Sequence, residues 1–325
     1  MRRSIVAGLV VLLALGSGAC TSAPAKDSLT PITVKLAWTH QAQFAGLYAA
    51  DLNGYYKAEG LAVTFEEAGP SGGQIDSILA GSAQFGVVAG DVVLIARSQG
   101  KSVKAVAAVF RRSPRVYIAL AESGITRPKD FVGKTIAVNK AAQPAFAAMM
   151  NRVGVSADTY TVVPSTPDMS QLYSGVVQVR SVYLTNEVLA ARAAGHQVNV
   201  IYPDDYGVHN YGDVLVASEE LIASDPGLVL RFVRASLKGW TYAVENPGEM
   251  GAMVAKYKPD VDVALQNDQM AASLPLVNTG EDRIGWMKAE TWTGMDTILL
   301  DGGAVTAPIG VGQVFTMEFL TQIYK

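Results

Sequence analysis

The sequence has only one cysteine, Cys20, among its 325 residues, so no disulfide bond can form within the chain. Its three histidines, His40, His196 and His209, are far apart and have no second cysteine to join them, which argues against a zinc site. No Gly-x-Ser-x-Gly elbow is present, and no nucleophile can be paired with a base. These absences predict no metal, no cofactor and no catalytic residue.

Charged residues are also scarce, at 17% of the chain, whereas hydrophobic residues make up 50%. This composition is typical of a well-packed globular protein and excludes a disordered one. The 26 lysines and arginines are outnumbered by 29 acidic residues, and no basic run occurs that would indicate nucleic-acid binding. The chain is long enough for two domains of ordinary size, and we expect a monomer.

The N-terminus has the pattern of a secretory signal. Arg2 and Arg3 precede an apolar run from Ile5 to Leu15, which small residues follow. A basic start, a short apolar core and small residues before the cleavage point predict a signal peptide over residues 1–19. The apolar run is too short to predict a membrane-spanning helix.

Cys20 directly follows this predicted signal and resembles the cysteine of a bacterial lipobox, although Ser17 stands where leucine is usual. We expect Cys20 to be lipidated, and a plain secretory signal is the alternative. Residues 20–30 are polar and small, which predicts a tether between lipid and fold. The expected location is extracytoplasmic, anchored by lipid to the cell membrane.

Short strand-like runs alternate with single helices from Thr33 to Tyr202. Strands separated by single helices predict parallel βαβ units and therefore an α/β fold. A strand returns at Val214–Ala217, and the remaining chain is predominantly helical.

Aromatic and amide side chains follow the first predicted strand. They are Trp38, Gln41, Gln43, Phe44 and Tyr48. In open α/β sheets, ligands bind outside the carboxyl ends of strands. Stacking contributes about 1 kcal/mol per aromatic contact, and amides can bind the edge of a ring, so this set suits a flat heteroaromatic ligand. Phe44 and Tyr48 also fit the buried face of the following helix, and we expect at least one of them in the core.

Three segments, LAWTHQAQFAGLYAADLNGYYKAEGL, SILAGSAQFGVVAGDVVLIARSQG and LVLRFVRASLKGWTYAVENP, resemble solute-binding proteins of ABC importers. The branch binds thiamine-pyrimidine precursors, riboflavin or aliphatic sulfonates, and it includes thiamine-pyrimidine synthases. The resemblance, which covers nearly the whole mature chain, implies a two-lobed type II periplasmic-binding-protein-like fold with two crossovers, and an ABC permease as partner. We expect lobe 1 over residues 31–118 and 214–325, and lobe 2 over residues 119–213.

Residues at later strand ends, in the crossovers and in a late loop are further candidates for ligand contact. They are Val88, Asp91, Arg112, Asn139, Tyr183, Asn186, Glu187, Tyr206, Tyr211 and Trp286. Asp91 also fits a helix cap, and Trp286 also fits simple packing. The resemblance to pyrimidine-precursor binders assigns Glu187 to the ligand's amine, with a solvent-facing helix cap as the alternative.

The resemblance and these side chains favour a planar nitrogen heterocycle, either a thiamine-pyrimidine precursor or riboflavin. Arg111, Arg112 and Arg115 keep an alternative open, because clustered arginines can bind a sulfonate or phosphate; they also fit a solvated bend. A thiamine-pyrimidine synthase is the enzyme alternative, with His40 as the residue to suspect. Those enzymes carry a cysteine-rich motif that a single cysteine at position 20 cannot supply. We therefore expect a binding protein and not an enzyme.

Overall fold

The computed structural model of the protein describes residues 29–68, 72–166 and 168–325. The predicted signal peptide, Cys20 and the predicted tether up to residue 28 lie outside the described residues. Within the described ranges, no helix is long and apolar enough to cross a membrane.

The described residues form two five-stranded sheets, which define two lobes. The strands of lobe 1 are β1 (Thr30–Lys35), β2 (Leu61–Glu66), β3 (Phe85–Ala89), β4 (Val103–Ala108) and β10 (Asp213–Ser218), and those of lobe 2 are β5 (Arg115–Leu120), β6 (Thr135–Ala137), β7 (Thr161–Val163), β8 (Val179–Tyr183) and β9 (Val198–Ile201). The strand orders are β2-β1-β3-β10-β4 and β7-β6-β8-β5-β9.

The two sheets have the same arrangement. In each sheet, the strand that arrives from the other lobe lies second from one edge and runs antiparallel to both neighbours. The other paired strands are parallel, as expected for βαβ units. This confirms the predicted α/β fold of two lobes joined by two crossovers.

The crossovers run from Ala108 to Arg115 and from Ile201 to Asp213. The first boundary, predicted between residues 118 and 119, falls inside β5, so lobe 2 begins earlier than expected. Residues 116–119 are apolar and buried in the second lobe. Sequence alone cannot distinguish a buried strand of this kind from a strand that links two lobes.

Helices lie between and after the strands. They are α1 (Ala45–Leu52), α2 (Tyr55–Ala58), α3 (Gln74–Leu79), α4 (Gly90–Ser98), α5 (Gln143–Arg152), α6 (Ser170–Tyr173), α7 (Glu187–Ala193), α8 (Glu219–Ser224), α9 (Pro226–Glu245), α10 (Met250–Val254), α11 (Val263–Val277), α12 (Ala289–Asp301) and α13 (Glu318–Ile323).

Two glycines allow α9 to pack directly on α1. A Cβ on Gly239 would lie 2.0 Å from the carbonyl oxygen of Gly46, and a Cβ on Gly46 would lie 2.2 Å from the Trp240 ring. Such distances leave no room for any side chain at either position. The contact fixes the start of α1, which follows the predicted site loop after β1.

Helix α12 contacts both lobes. Trp292 and Met295 lie in the core of lobe 1, whereas Ile298 packs in the core of lobe 2. Just beyond this helix, a Cβ on Gly302 would lie 3.0 Å from the Cα of Pro144 at the start of α5. The segment 214–325, which we predicted as part of lobe 1 alone, therefore also packs against lobe 2.

Candidate ligand-binding cleft

Trp38 lies in the loop after β1 and is 52% exposed, unlike the fully buried Trp240 and Trp292. The loop itself is held in place. The backbone N–H of His40 donates to Glu67 Oε1 at 2.6 Å, and that of Ala42 donates to Gln266 Oε1 at 2.6 Å. An apolar ring is thus presented to solvent on a fixed backbone, which is the arrangement of a stacking platform.

The amides that follow Trp38 lead into a buried polar chain. Gln41 Nε2 donates to Gln43 Oε1 at 2.6 Å, and Gln43 Nε2 donates to Asp213 Oδ2 at 2.7 Å. Asp213 is the first residue of β10 and is only 2% exposed. Burial raises the pKa of its carboxyl to about 7, and the Gln43 hydrogen bond and the Arg115 charge oppose this only in part.

An ion pair joins the two lobes beside this chain. Asp91, in the first turn of α4, lies with Oδ2 3.3 Å from a guanidinium nitrogen of Arg115, the first residue of β5. The guanidinium carbon of Arg115 lies 5.9 Å from the ring centroid of Tyr183 at the end of β8. The alternative prediction that Asp91 caps α4 is wrong: Ala89 occupies the cap position, and no side chain bonds there, since Asp91 faces Arg115.

The predicted residues of lobe 2 meet at one edge of its sheet, because β6 and β8 are adjacent and parallel. Asn139 Oδ1 accepts from the backbone N–H of Ala142 at 2.9 Å, and Glu187 Oε2 accepts from the backbone N–H of Tyr183 at 2.8 Å. Both side chains therefore hold local turns at the strand ends. Asn186 instead reaches the other lobe, where its Oδ1 accepts from Gln269 Nε2 at 2.9 Å.

Four predicted contact residues are buried in the core of lobe 1: Phe44, Tyr48, Val88 and Tyr211 are each 3% exposed or less. The Tyr48 ring stacks on Tyr257 at 4.3 Å, and the Tyr211 hydroxyl accepts from the backbone N–H of Lys288 at 2.7 Å. Assigning these four side chains to ligand contact is corrected, because the core already surrounds them. The expectation that at least one of Phe44 and Tyr48 is core is confirmed, since both are.

Tyr206 and Trp286 also lie elsewhere. Tyr206 lies within the return crossover and packs against the core of lobe 2. Trp286 lines an open depression of about 520 Å³ together with Arg283 and Tyr324, and none of the residues of the polar chain contributes to it. Neither ring is brought to Trp38 by the contacts described above.

The three arginines near the first crossover are each bound to a carboxylate. Arg111 lies 2.8 Å from Asp282, and Arg112 lies 2.7 Å from Asp204. With the Asp91–Arg115 pair, every arginine of the FRRSPR segment has its charge compensated. The segment is therefore neither a free anion site nor a fully solvated bend.

Sequence reasoning missed three residues of this region. Asp213 was interpreted as the end of a loop. Gln266 and Gln269 were interpreted only as part of a helical stretch. A signal was present, because Gln266, Gln269 and Ser273 recur at helical spacing in α11 and are buried. A polar stripe on the buried face of a helix indicates hydrogen-bond partners on another element.

The chain is similar to proteins named as binding proteins and to one group named as enzymes. The sequence profile described as NMT1/THI5 like matches residues 41–250. The riboflavin-binding protein RibY of Chloroflexus aurantiacus is 29% identical, with 94% of this chain and 91% of that protein covered. A formylaminopyrimidine-binding protein of Halalkalibacterium halodurans is 27% identical, with 89% and 90% covered.

A 4-amino-5-hydroxymethyl-2-methylpyrimidine phosphate synthase of Legionella pneumophila is 22% identical, with 81% of this chain and 85% of that protein covered. Among solved structures, the putative periplasmic sulfonate-binding protein SsuA of Methylobacillus flagellatus has a TM-score of 0.71. It is 17% identical, with 91% of this chain and 94% of that chain covered. At that identity the likeness establishes the fold alone, which is that of periplasmic binding proteins.

Proposed function

The chain belongs to the NMT1/THI5-like family, and we propose that it is the solute-binding protein of an ABC importer. Its ligand is a small planar nitrogen heterocycle, of the riboflavin or thiamine-pyrimidine-precursor type. The observation that carries this proposal is the exposed Trp38 residue, on the loop that leads directly into the Gln41–Gln43–Asp213 hydrogen-bonded chain.

A half-exposed tryptophan on a fixed loop supports a ligand with an aromatic face. A ring that stacks on Trp38 buries apolar area of both partners. Each Å² removed from water stabilises the complex by about 25 cal/mol. The amides of Gln41 and Gln43 are already partly paired with each other, so they offer a small number of directed hydrogen bonds to a ring edge. Relatives named for binding riboflavin and formylaminopyrimidine, both planar nitrogen heterocycles, support the same ligand class.

The paired arginines count against the sulfonate alternative. A sulfonate would have to compete with Asp282, Asp204 or Asp91 for its guanidinium partner. A sulfonate bound to Arg115 would also lie beside the Asp91 carboxylate, and two negative charges at that distance repel each other. A neutral ring can bind beside these pairs without separating them.

The proposal includes an extracytoplasmic location for the protein and a role in binding without catalysis. A signal peptide over residues 1–19 and a lipid on Cys20 would hold the protein outside the cytoplasm, at the membrane that contains its permease. The synthase relative keeps an enzymatic role in view. The single cysteine and the two more similar binding-protein relatives support a protein that returns its ligand unchanged.

The test is a set of calorimetric titrations of the mature chain with riboflavin, formylaminopyrimidine and taurine, with tryptophan fluorescence recorded in parallel. We expect micromolar or tighter binding of one ring, about −8 kcal/mol or better, and at least a tenfold loss in Trp38→Ala. Trp286→Phe is the matched control, since it alters a tryptophan outside the polar chain. Mass analysis after incubation checks that the ligand is unchanged. Binding of taurine alone, or equal binding by Trp38→Ala, contradicts the proposal.

A further inference from the structure

Helix α11 buries an unusual polar face. Gln266, Gln269 and Ser273 are 6%, 7% and 1% exposed. Gln266 Oε1 is bound by the backbone N–H of Ala42 at 2.6 Å, and Ser273 Oγ donates to the backbone carbonyl of Gln269 at 2.8 Å. The helix therefore holds the loop that presents Trp38, which makes it part of the candidate site.

The head group of Gln269 lies where the two lobes meet. Its Nε2 donates to Oδ1 of Asn186, the residue that precedes α7 in lobe 2, at 2.9 Å. Its Oε1 belongs to the same planar amide and so lies at the same interface. Within the part of the chain that the structure describes, this buried oxygen has no hydrogen-bond partner.

Buried polar side-chain atoms are nearly always hydrogen-bonded, so a buried carbonyl without a partner calls for an explanation. A misplaced side chain does not explain the missing bond, because the Nε2 atom of the same amide makes a well-formed hydrogen bond to Asn186. An acceptor between two lobes, on the helix that holds the Trp38 loop, is suited to a donor that arrives with a ligand.

We propose that Gln269 is a specificity-determining residue whose Oε1 accepts a hydrogen bond from an N–H of the bound heterocycle, while its Nε2 binds Asn186 across the cleft. The donor is a ring imide N–H, as in a flavin, or an exocyclic amine, as in an aminopyrimidine. This inference rests on the proposed function, since it assigns a contact to the same ligand. It also gives α11 two roles: Gln266 positions the stacking loop, and Gln269 binds the ring edge.

The first test compares three variants by calorimetry with riboflavin and formylaminopyrimidine. Gln269→Met removes the acceptor at similar volume and is expected to raise Kd about tenfold, equivalent to about 1.4 kcal/mol. Asn186→Ala removes only the partner of Nε2 and is expected to have a smaller effect. Gln84→Met is the matched control in lobe 1. Gln84 Oε1 accepts from the backbone N–H of Thr33, at the end of the sheet opposite to the candidate site. Melting temperatures show whether each variant is folded.

The second test changes the ligand and does not depend on how well Gln269→Met folds. Wild type is titrated with an analogue that lacks the donor, N3-methylriboflavin or the desamino pyrimidine. Wild type is expected to lose about tenfold in affinity, and Gln269→Met is expected to lose little further, because contacts that share one bond are not additive.

Equal losses in both proteins, or unchanged binding by Gln269→Met, overturn the inference while the proposed function stands. Failure of wild type to bind either ring overturns the proposed function, and the inference with it.

Discussion

Replacement of Asp213 by asparagine tests whether the ionised Asp213 carboxylate, buried in the hydrogen-bonded chain, destabilises the folded protein. In Asp213→Asn the amide oxygen can still accept from Gln43 Nε2, so the hydrogen bond seen at 2.7 Å is kept. The substitution therefore changes the charge and little else. Asparagine stands in for the protonated aspartic acid.

The magnitude follows from the shift of the Asp213 pKa from 3.8 to about 7. Below pH 3.8, folded and unfolded chains both carry the proton, so this group makes stability independent of pH. Between about 3.8 and about 7 the folded state alone keeps the proton, and the free energy of unfolding falls by about 1.4 kcal/mol per pH unit as pH rises. Above pH 7 both states are ionised, and the loss reaches about 4 kcal/mol.

Urea unfolding of wild type and Asp213→Asn at a series of pH values measures this difference. We expect the free energy of unfolding of the variant to rise relative to that of wild type from pH 4 to pH 7. Above pH 7 the variant should remain more stable by a constant amount. Asp130→Asn is a control of opposite sign, because backbone and side-chain hydrogen bonds hold the pKa of Asp130 below its usual value. That variant should lose stability at neutral pH, and its deficit should shrink as pH falls through the lowered pKa. A difference between Asp213→Asn and wild type that does not change with pH would refute the reasoning.

Three further predictions concern packing, the anchor and lobe motion. Gly239→Ala should lower the free energy of unfolding by about 1–3 kcal/mol, since the added Cβ meets the Gly46 carbonyl; Gly294→Ala, in a helix with open space, should be neutral or stabilising by up to about 1 kcal/mol. Thermal melting checks both, and equal effects contradict the packing argument. Cys20→Ser should move the protein from the membrane fraction to the soluble fraction on cell fractionation, and a wild type already fully soluble argues against a lipid anchor. Saturating ligand should reduce the radius of gyration in small-angle scattering, and no change argues against closure.

The fold could be predicted because its signals are local. The strands of lobe 1 are short apolar or alternating runs next to helices, and the predicted helix starts at Ser218 and Pro226 match the structure. The order of the strands within each sheet is not local. It depends on β10 pairing with β3 and β4, more than a hundred residues earlier in the chain. The family resemblance implied two lobes and two crossovers, but the order of the strands was not predicted.

The candidate site was predicted less well, because burial is decided by distant partners. Trp38 and Tyr48 are both aromatic and both follow β1, yet one is 52% exposed and the other is fully buried. Part of the difference arises from Tyr257, which stacks on Tyr48 and is more than two hundred residues away. Asp213 was missed for the same reason, since its partner Gln43 is 170 residues distant.

The contacts between the lobes bear on how a ligand could close them. The Asp91–Arg115 pair and the Gln269–Asn186 hydrogen bond are single polar contacts, each worth little net free energy when water can replace the partner. Helix α12 adds apolar packing, because its Ile298 lies in the core of lobe 2 and the helix contacts α5 of that lobe. We propose that α12 keeps the lobes together through opening and closing while the polar contacts separate. A ligand then needs only a modest preference for the closed state, because it shifts the equilibrium by its differential affinity and by no more. Stacking on Trp38 of lobe 1 and one hydrogen bond to Gln269 could supply such a preference. Gln269 is bound to Asn186 of lobe 2 only when the cleft is closed, so a ligand that bonds Gln269 in that position favours the closed state.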